Sequence, residues 1–141
     1  MAEYTSDIKT VPHPSDTIFR TLSDFNNFER IKAALPQDKV GDIKFDQDTC
    51  TFNAPMIGQM TVRIIERQDN KCVKLEAEGT PFPVLLWIQM LPTPNNPYES
   101  KMKLTVNADF PFYMKPMVSK PLKEGIEKLS EVLSKLPYNQ F

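Results

Sequence analysis

The stretch KMKLTVNA, from Lys101 to Ala108, alternates strictly between polar and apolar side chains. Successive side chains of a β-strand point to opposite faces, so this pattern predicts a strand with one apolar face and one face in water. The same period of two recurs in four earlier runs, which centre on Ile43, Cys50, Val62 and Leu75. Short turn sequences separate the runs, which favours an antiparallel sheet built as a meander.

Two other kinds of element precede this region. Tyr4 to Val11 predicts a first strand, because it is rich in Thr, Val and Ile and is followed by proline. Two short helices follow it: Ser15 is the expected N-cap of one, and Ser23 or Asp24 the expected N-cap of the other, which Pro36 ends.

A long helix is predicted after the sheet, since apolar residues recur at spacings of three and four up to Leu136. Pro116 and Pro121 lie near its start. We therefore expect the helix either to begin around Tyr113 and kink, or to become regular near Ser119. Its apolar stripe matches the apolar face of the sheet, which needs a cover.

Together these elements predict an α+β fold. In it a curved seven-stranded antiparallel sheet wraps around the long C-terminal helix, with two short helices between strands 1 and 2. The 141 residues suit one domain, spanning 1–141.

Composition narrows the functional classes. With 17 basic and 18 acidic residues the net charge is −1, which gives no bulk field to attract nucleic acid. We expect no membrane span, because the longest apolar run, Val84 to Ile88, is far shorter than the roughly 20 residues required. The N-terminus has no secretory signal pattern. Cys50 and Cys72 lie in strand-like segments and are interpreted as free apolar fillers, so a cytoplasmic location is expected.

The segment Val84 to Leu91 departs from one-sided alternation, because both of its faces are apolar. The pattern leaves open which face points inward. Either another element covers the outer face, or that face meets a second subunit or another partner. Trp87, with Leu85 beside it, is the expected anchor of such an interface, and a homodimer is one form that it can take.

The opening of the chain resembles the SRPBCC superfamily, which includes START domains, the major birch pollen allergen and polyketide cyclases. The matching residues are Val11-Pro12-His13-Pro14 and the pattern Pro-x-x-x-Ile-Phe-x-x-Leu-Ser-Asp, which ends at Asp24. The blocks Leu86–Pro92 and Lys115–Leu122 resemble an uncharacterised Bacteroidetes-type branch. The resemblance covers essentially the whole chain and implies a helix-grip fold, whose members hold apolar ligands and only some of which catalyse.

In that superfamily the ligand lies between the concave sheet and the long helix, and the resemblance therefore implies a cavity lined by the apolar strand faces and the inner helical stripe. The residues expected there are Phe45, Phe52, Met60, Val62, Val73, Leu75, Met102, Leu104, Val106, Met117, Leu122, Ile126 and Leu129. The alternative interpretation is a filled core, because a domain this small needs most of its apolar side chains for burial. Gly125 fits either room for a ligand or close helix packing.

Residues for catalysis are sparse. His13 is interpreted as a solvent-facing turn residue, and Glu66, Gln89 and Asn107 as polar groups facing water or pairing across strands. Arg63 and Arg67 are expected on the solvated face. No metal-ligand spacing or phosphate loop is present, so no metal and no cofactor is predicted, and no catalytic residue is assigned.

Three functions remain, in order of preference. The first is carriage or sensing of a small apolar molecule such as a lipid, isoprenoid or polyketide-like compound. The second is non-catalytic binding of a macromolecular partner through the outer sheet face. The third is a cyclase or aromatase, which needs an acid–base group inside the cavity.

Overall fold

The computed structural model describes residues 2–30, 44–54, 58–79, 82–135 and 138. The sheet strands are β1 Ala2–Thr5, β2 Lys9–Val11, β3 Lys44–Phe45, β4 Thr49–Ala54, β5 Gly58–Gln68, β6 Cys72–Glu78, β7 Val84–Thr93 and β8 Asn96–Ala108. The helices are α1 Ser15–Leu22, a 3-10 helix Phe25–Arg30, a 3-10 turn Phe112–Met114, and α2 Lys115–Ser134.

The strands form one antiparallel sheet in the order β1-β8-β7-β6-β5-β4-β3, and β2 also pairs with β8. The expected first strand is thus interrupted between Thr5 and Lys9. Ser6 bridges the interruption, because its N–H donates to the Leu104 carbonyl at 2.8 Å and its hydroxyl accepts from the Leu104 N–H at 2.9 Å. Taken as one interrupted strand, this edge completes the seven-stranded sheet and confirms the predicted helix-grip fold.

The concave face of the sheet carries the core. Val73, Met102 and Leu104 are fully buried there, and α1 adds Ile18 and Leu22. The long helix α2 contacts β1, β2 and β8. The Glu127 carboxylate fixes it over the N-terminal edge, since it accepts from the Asp7 N–H at 2.6 Å and lies 3.6 Å from the Lys9 ammonium. The helix therefore covers one half of the sheet.

Helix boundaries differ in detail from the expectations. Helix α2 begins at Lys115, between the two starts considered, with Pro116 in its first turn and Pro121 inside it. The N-cap of α1 is Pro14 rather than Ser15, whose hydroxyl lies 3.0 Å from that of Ser100.

The second short helix is a 3-10 helix. It begins after Asp24, whose carboxylate accepts from the Asn26 N–H at 2.9 Å, in agreement with one of the two predicted caps. Its predicted continuation through Pro36 lies outside the described residues, as does the predicted helix end at 136–137.

A bulge in β5 changes the expected orientation of one arginine. Ile64 pairs with Leu75 and Glu66 with Lys74, so Ile65 is the extra residue. Arg67 then pairs with buried Val73 and moves to the inner side of the sheet, where its guanidinium donates to the Ser23 carbonyl at 2.9 Å and pairs with Asp48. The face predicted for Arg67 is therefore wrong, although the side chain remains exposed to solvent as expected. Arg63, before the bulge, stays outside and pairs with Glu78 at 3.0 Å.

Beyond α2, Tyr138 is anchored against the fold. It is 1% exposed, its hydroxyl donates to the Leu133 carbonyl, and its ring packs edge-on against His13 with centroids 5.5 Å apart. Burial raises the pKa of the Tyr138 phenol, so the hydroxyl remains a donor. This contact ties the residue after α2 to the corner between β2 and α1.

Candidate ligand groove

An apolar groove of about 320 Å³ lies between α2 and the concave faces of β5 to β8. The described side chains around it are all apolar. They are Met60, Val62, Leu75, Ala77, Val84, Leu86, Val106, Pro121, Leu122, Gly125, Ile126 and Leu129. The volume falls at the lower end of the range of about 300–1,000 Å³ that is typical of ligand sites.

Gly125 borders the groove on α2. A Cβ atom added at this position would meet no heavy atom within 4 Å, so the glycine is not there for close packing of helix on sheet. Of the two interpretations of Gly125, the structure favours the one that leaves room for a ligand. Leu129, one turn further along α2, is 37% exposed although it is apolar, so the groove is open to solvent on this side.

Seven of the thirteen residues expected at a cavity line the groove: Met60, Val62, Leu75, Val106, Leu122, Ile126 and Leu129. The sequence prediction omitted Val84 and Leu86, because the inward face of β7 was left open. The register now gives it: Leu86, Ile88 and Met90 pair with Val106, Leu104 and Met102, on the concave face. Ala77 was part of the alternating pattern but was not among the residues expected at the cavity.

The other expected residues lie elsewhere. Val73, Met102 and Leu104 are fully buried in the core, and Phe45 is partly buried at its edge. Phe52 is on β4, and its side chain lies outside what the structure describes. Met117 is 71% exposed and is not among the residues that line the groove. Of the thirteen apolar residues expected at a cavity, some therefore belong to a filled core and others line the groove.

The groove lining contains no titratable side chain among the described residues. His13 contributes its carbonyl to the Ser100 hydroxyl at 2.8 Å and its ring to Tyr138. Gln89 lies on the outer face and accepts from the Thr105 hydroxyl at 3.0 Å. Glu66 and Asn107 lie on the same outer face.

No metal site is evident in the described part of the chain, where no three His, Cys, Asp or Glu side chains converge. Cys50 and Cys72 are free thiols. Burial raises the pKa of both, that of Cys50 to about 11, which keeps the thiols protonated near neutral pH.

The outer face of β7 carries a second feature, the outer patch of Ile8, Trp87 and Leu91. Ile8 is 67% and Leu91 64% exposed, and the half-buried Trp87 ring has the Lys74 ammonium 5.2 Å from its centroid. A depression of about 370 Å³ lies here. Three more lysines line it, namely Lys71, Lys101 and Lys103. Leu85, the second residue expected at an interface, is half-buried nearer the other end of β7.

Several solved structures have an architecture similar to that of this chain. A START superfamily protein from Mycobacterium smegmatis superposes with a TM-score of 0.67 at 14% identity, over 94% of each chain. A protein from Thermus thermophilus gives 0.64 at 15% identity over 95% of each chain. The protein XoxI from Bacillus cereus gives 0.61 at 16% identity, over 89% of this chain and 87% of its own.

The chain has a START-like fold. At these identities the likeness shows the fold alone. No family model matches this sequence, and neither does any curated protein. Within the described residues of the START-like chain, no helix is long and apolar enough to cross a membrane.

Proposed function

We propose that this START-like protein binds and carries a small apolar ligand, a lipid, isoprenoid or polyketide-like molecule, in the cytoplasm. The observation that carries the proposal is the wholly apolar lining of the 320 Å³ groove, in which Gly125 borders open space. Burial of apolar ligand surface there gains roughly 25 cal/mol for each Å² removed from water. Specificity for a polar ligand would require hydrogen-bonding groups in the lining.

The apolar lining of the groove also favours carriage of a ligand over catalysis by a cyclase or aromatase. A cyclase or aromatase needs an acid or base within hydrogen-bonding reach of the reacting atoms. One polar pair on the inner side is the Tyr4 hydroxyl and the Ser119 hydroxyl, which bond to each other at 2.8 Å. Tyr4 sits opposite Val106, and neither hydroxyl belongs to the groove lining.

The test is Nile red binding, followed by fluorescence, with Gly125→Phe as the blocking variant. The phenylalanine ring should occupy the open space and weaken dye binding by tenfold or more. Glu131→Phe is the matched control, because it adds the same ring on the exposed side of α2 and should leave binding unchanged. Circular dichroism shows whether both variants fold. Equal binding by wild type and folded Gly125→Phe would refute the groove as the site.

Native mass spectrometry of protein purified from its own host then identifies the ligand class. A retained apolar molecule that is absent from Gly125→Phe would support carriage. If wild type and Gly125→Phe both show no bound ligand in the mass spectra, the result would count against carriage.

A second candidate function is suggested by the outer patch. Four lysines, Lys71, Lys74, Lys101 and Lys103, surround its exposed apolar side chains. Two copies paired face to face through Trp87 would bring these like charges together, which opposes the homodimer that the sequence suggested. The outer patch therefore suits an acidic segment of another protein better than a second copy.

Light scattering over a range of protein concentrations tests this choice. We expect a monomer, with or without Trp87→Ala. A dimer that Trp87→Ala dissociates would instead show that the outer patch pairs with itself.

A further inference from the structure

The segment between β8 and α2 exposes large apolar side chains. Phe112 is 88%, Tyr113 69% and Met117 71% exposed, and we call these three residues the aromatic rim. The two aromatic rings lie edge to face, with centroids 5.9 Å apart. Contiguous exposed apolar surface of this kind usually marks a binding surface in a folded protein.

The backbone that carries the aromatic rim is held by the fold. The Asp109 N–H donates to the Pro83 carbonyl at 2.9 Å, and Phe110 packs edge-on against Phe82 with centroids 5.5 Å apart. The Met114 N–H donates to the Pro111 carbonyl at 2.9 Å and closes the 3-10 turn. The rim side chains are therefore presented to solvent by an ordered turn.

Positive charge lies beside the aromatic rim. Lys115 and Lys120 are in the first two turns of α2, whose first turn contains no acidic residue. The Lys120 ammonium lies 4.0 Å from the Glu124 carboxylate. The amino-terminal end of the helix dipole adds positive potential at the same place. Asp109 is the one acidic residue in the preceding segment, 109–114.

The aromatic rim adjoins residues that line the groove. Met117 lies one helical turn before Pro121, which lines the groove, and Pro83 is followed by Val84, which also lines it. The rim is therefore next to the Val84 and Pro121 side of the groove.

We propose that the aromatic rim docks on an anionic lipid bilayer, so that the groove takes up its apolar ligand directly from the membrane. Aromatic side chains partition into the bilayer interface, and lysines are attracted to anionic headgroups. The rim supplies both on one ordered turn. The inference rests on the proposed function for the ligand but not for the docking itself, which can be measured without any ligand.

The test is co-sedimentation with large unilamellar vesicles of phosphatidylcholine, alone or with phosphatidylglycerol. Wild type should bind the mixed vesicles more tightly than the neutral ones, and added salt should weaken that binding. Phe112→Ala/Tyr113→Ala should reduce binding to both vesicle types by roughly tenfold or more. Lys115→Gln and Lys120→Gln should each reduce binding to the mixed vesicles on the order of fivefold.

Tyr98→Ala is the matched control. Tyr98 is 75% exposed but lies at the β7–β8 turn, at the other end of the sheet, so its removal should change nothing. Failure of wild type to bind mixed vesicles, or equal losses in Tyr98→Ala and the rim variant, would overturn the proposal. So would a concentration-dependent dimer that the rim variant abolishes, because the rim would then be a contact between copies.

The two proposals fail separately. Gly125→Phe should bind vesicles like wild type, and Phe112→Ala/Tyr113→Ala should bind Nile red like wild type. A rim variant that loses Nile red but keeps vesicle binding would contradict the assignment of docking to the rim, whatever the groove binds.

Discussion

Cys50 on the concave face illustrates how burial without a partner changes a side chain's chemistry. It pairs across strands with Val62, packs against the core and makes no disulfide. Loss of hydration disfavours the thiolate, and this raises the pKa of the thiol from its ordinary value of 9.0 to about 11. Cys50 is therefore expected to be a poor nucleophile.

We predict that Cys50 makes stability fall in mild alkali. Between pH 9 and 11 the unfolded chain releases the thiol proton while the folded protein keeps it, so the free energy of unfolding decreases as pH rises through this window. Below pH 9 the effect is absent. Cys50→Ala should flatten this slope by at most about 1.4 kcal/mol per pH unit, and by less than that because the thiol is only partly buried. Urea unfolding at several pH values measures it, and parallel slopes for the two proteins would contradict it.

The sequence predicts which residues share a face because alternation is a local property. Met60, Val62 and Leu75 were placed on the concave face from their own strands alone. Tyr138 was missed, since its partner His13 lies at the opposite end of the chain and no local pattern reports such a contact. Gly125 stayed ambiguous because the space around its Cβ position depends on where the whole helix lies.

At the scale of elements, β5 and α2 each contain an irregularity with a local cause. The bulge at Ile65 reverses the facing of the residues after it, so alternation read straight through β5 gave the wrong side for Arg67. Pro116 and Pro121 correctly indicated that the start of α2 is irregular. They did not show that the helix begins at Lys115. A single sequence can indicate that an element is irregular. It does not readily show how the backbone accommodates the irregularity.

The inward turn of Arg67 should strengthen its ion pair. Its guanidinium is already held by the Ser23 carbonyl, so less side-chain freedom is lost when Asp48 binds. We expect a double-mutant cycle of Arg67→Ala and Asp48→Ala to give a coupling of about 1 kcal/mol. The matched cycle of Arg63→Ala and Glu78→Ala, on the solvated face, should give about 0.5 kcal/mol or less. A larger value for the second pair would show that the bulge confers no advantage.

Pro121 should weaken α2. Proline inside a helix lacks the N–H that would bond to the carbonyl four residues earlier, here that of Met117. Pro121→Ala should therefore raise the free energy of unfolding by about 1–2 kcal/mol, after allowance for the greater freedom of the unfolded alanine chain. Pro116→Ala is the control, because a first-turn residue needs no such donor and the change should be small. Equal effects of the two substitutions in urea unfolding would contradict this account.

At the scale of the whole molecule, partial coverage of the sheet divides the concave side into two regions. Where α2 and α1 lie on the sheet, side chains such as Leu104 and Ile18 are fully buried. Between α2 and strands β5 to β7, Leu129 and the groove remain open. The sequence predicted the helix and the sheet, but their relative offset follows from many contacts at once and was not predictable from either pattern.

One core cluster links α1, the sheet and α2, so we predict a single cooperative unfolding transition, as expected for one domain. Trp87, the only tryptophan, reports on β7 by fluorescence, and far-UV circular dichroism reports on both helices and strands. The two urea curves should coincide. Separate midpoints would show that α2 detaches before the sheet unfolds.

The pairing of the first strand with the last has a consequence for synthesis. Ala2 pairs with Ala108, whereas β4 to β8 each pair with the strand made just before or just after them. At about 5–20 residues per second, the first strand leaves the ribosome on the order of 5–20 s before its partner exists. Strands β4 to β7 can pair with one another during this time. Strand β1 remains unpaired until β8 has been translated. In this protein, therefore, the first strand can join the sheet only after translation of the last strand is complete.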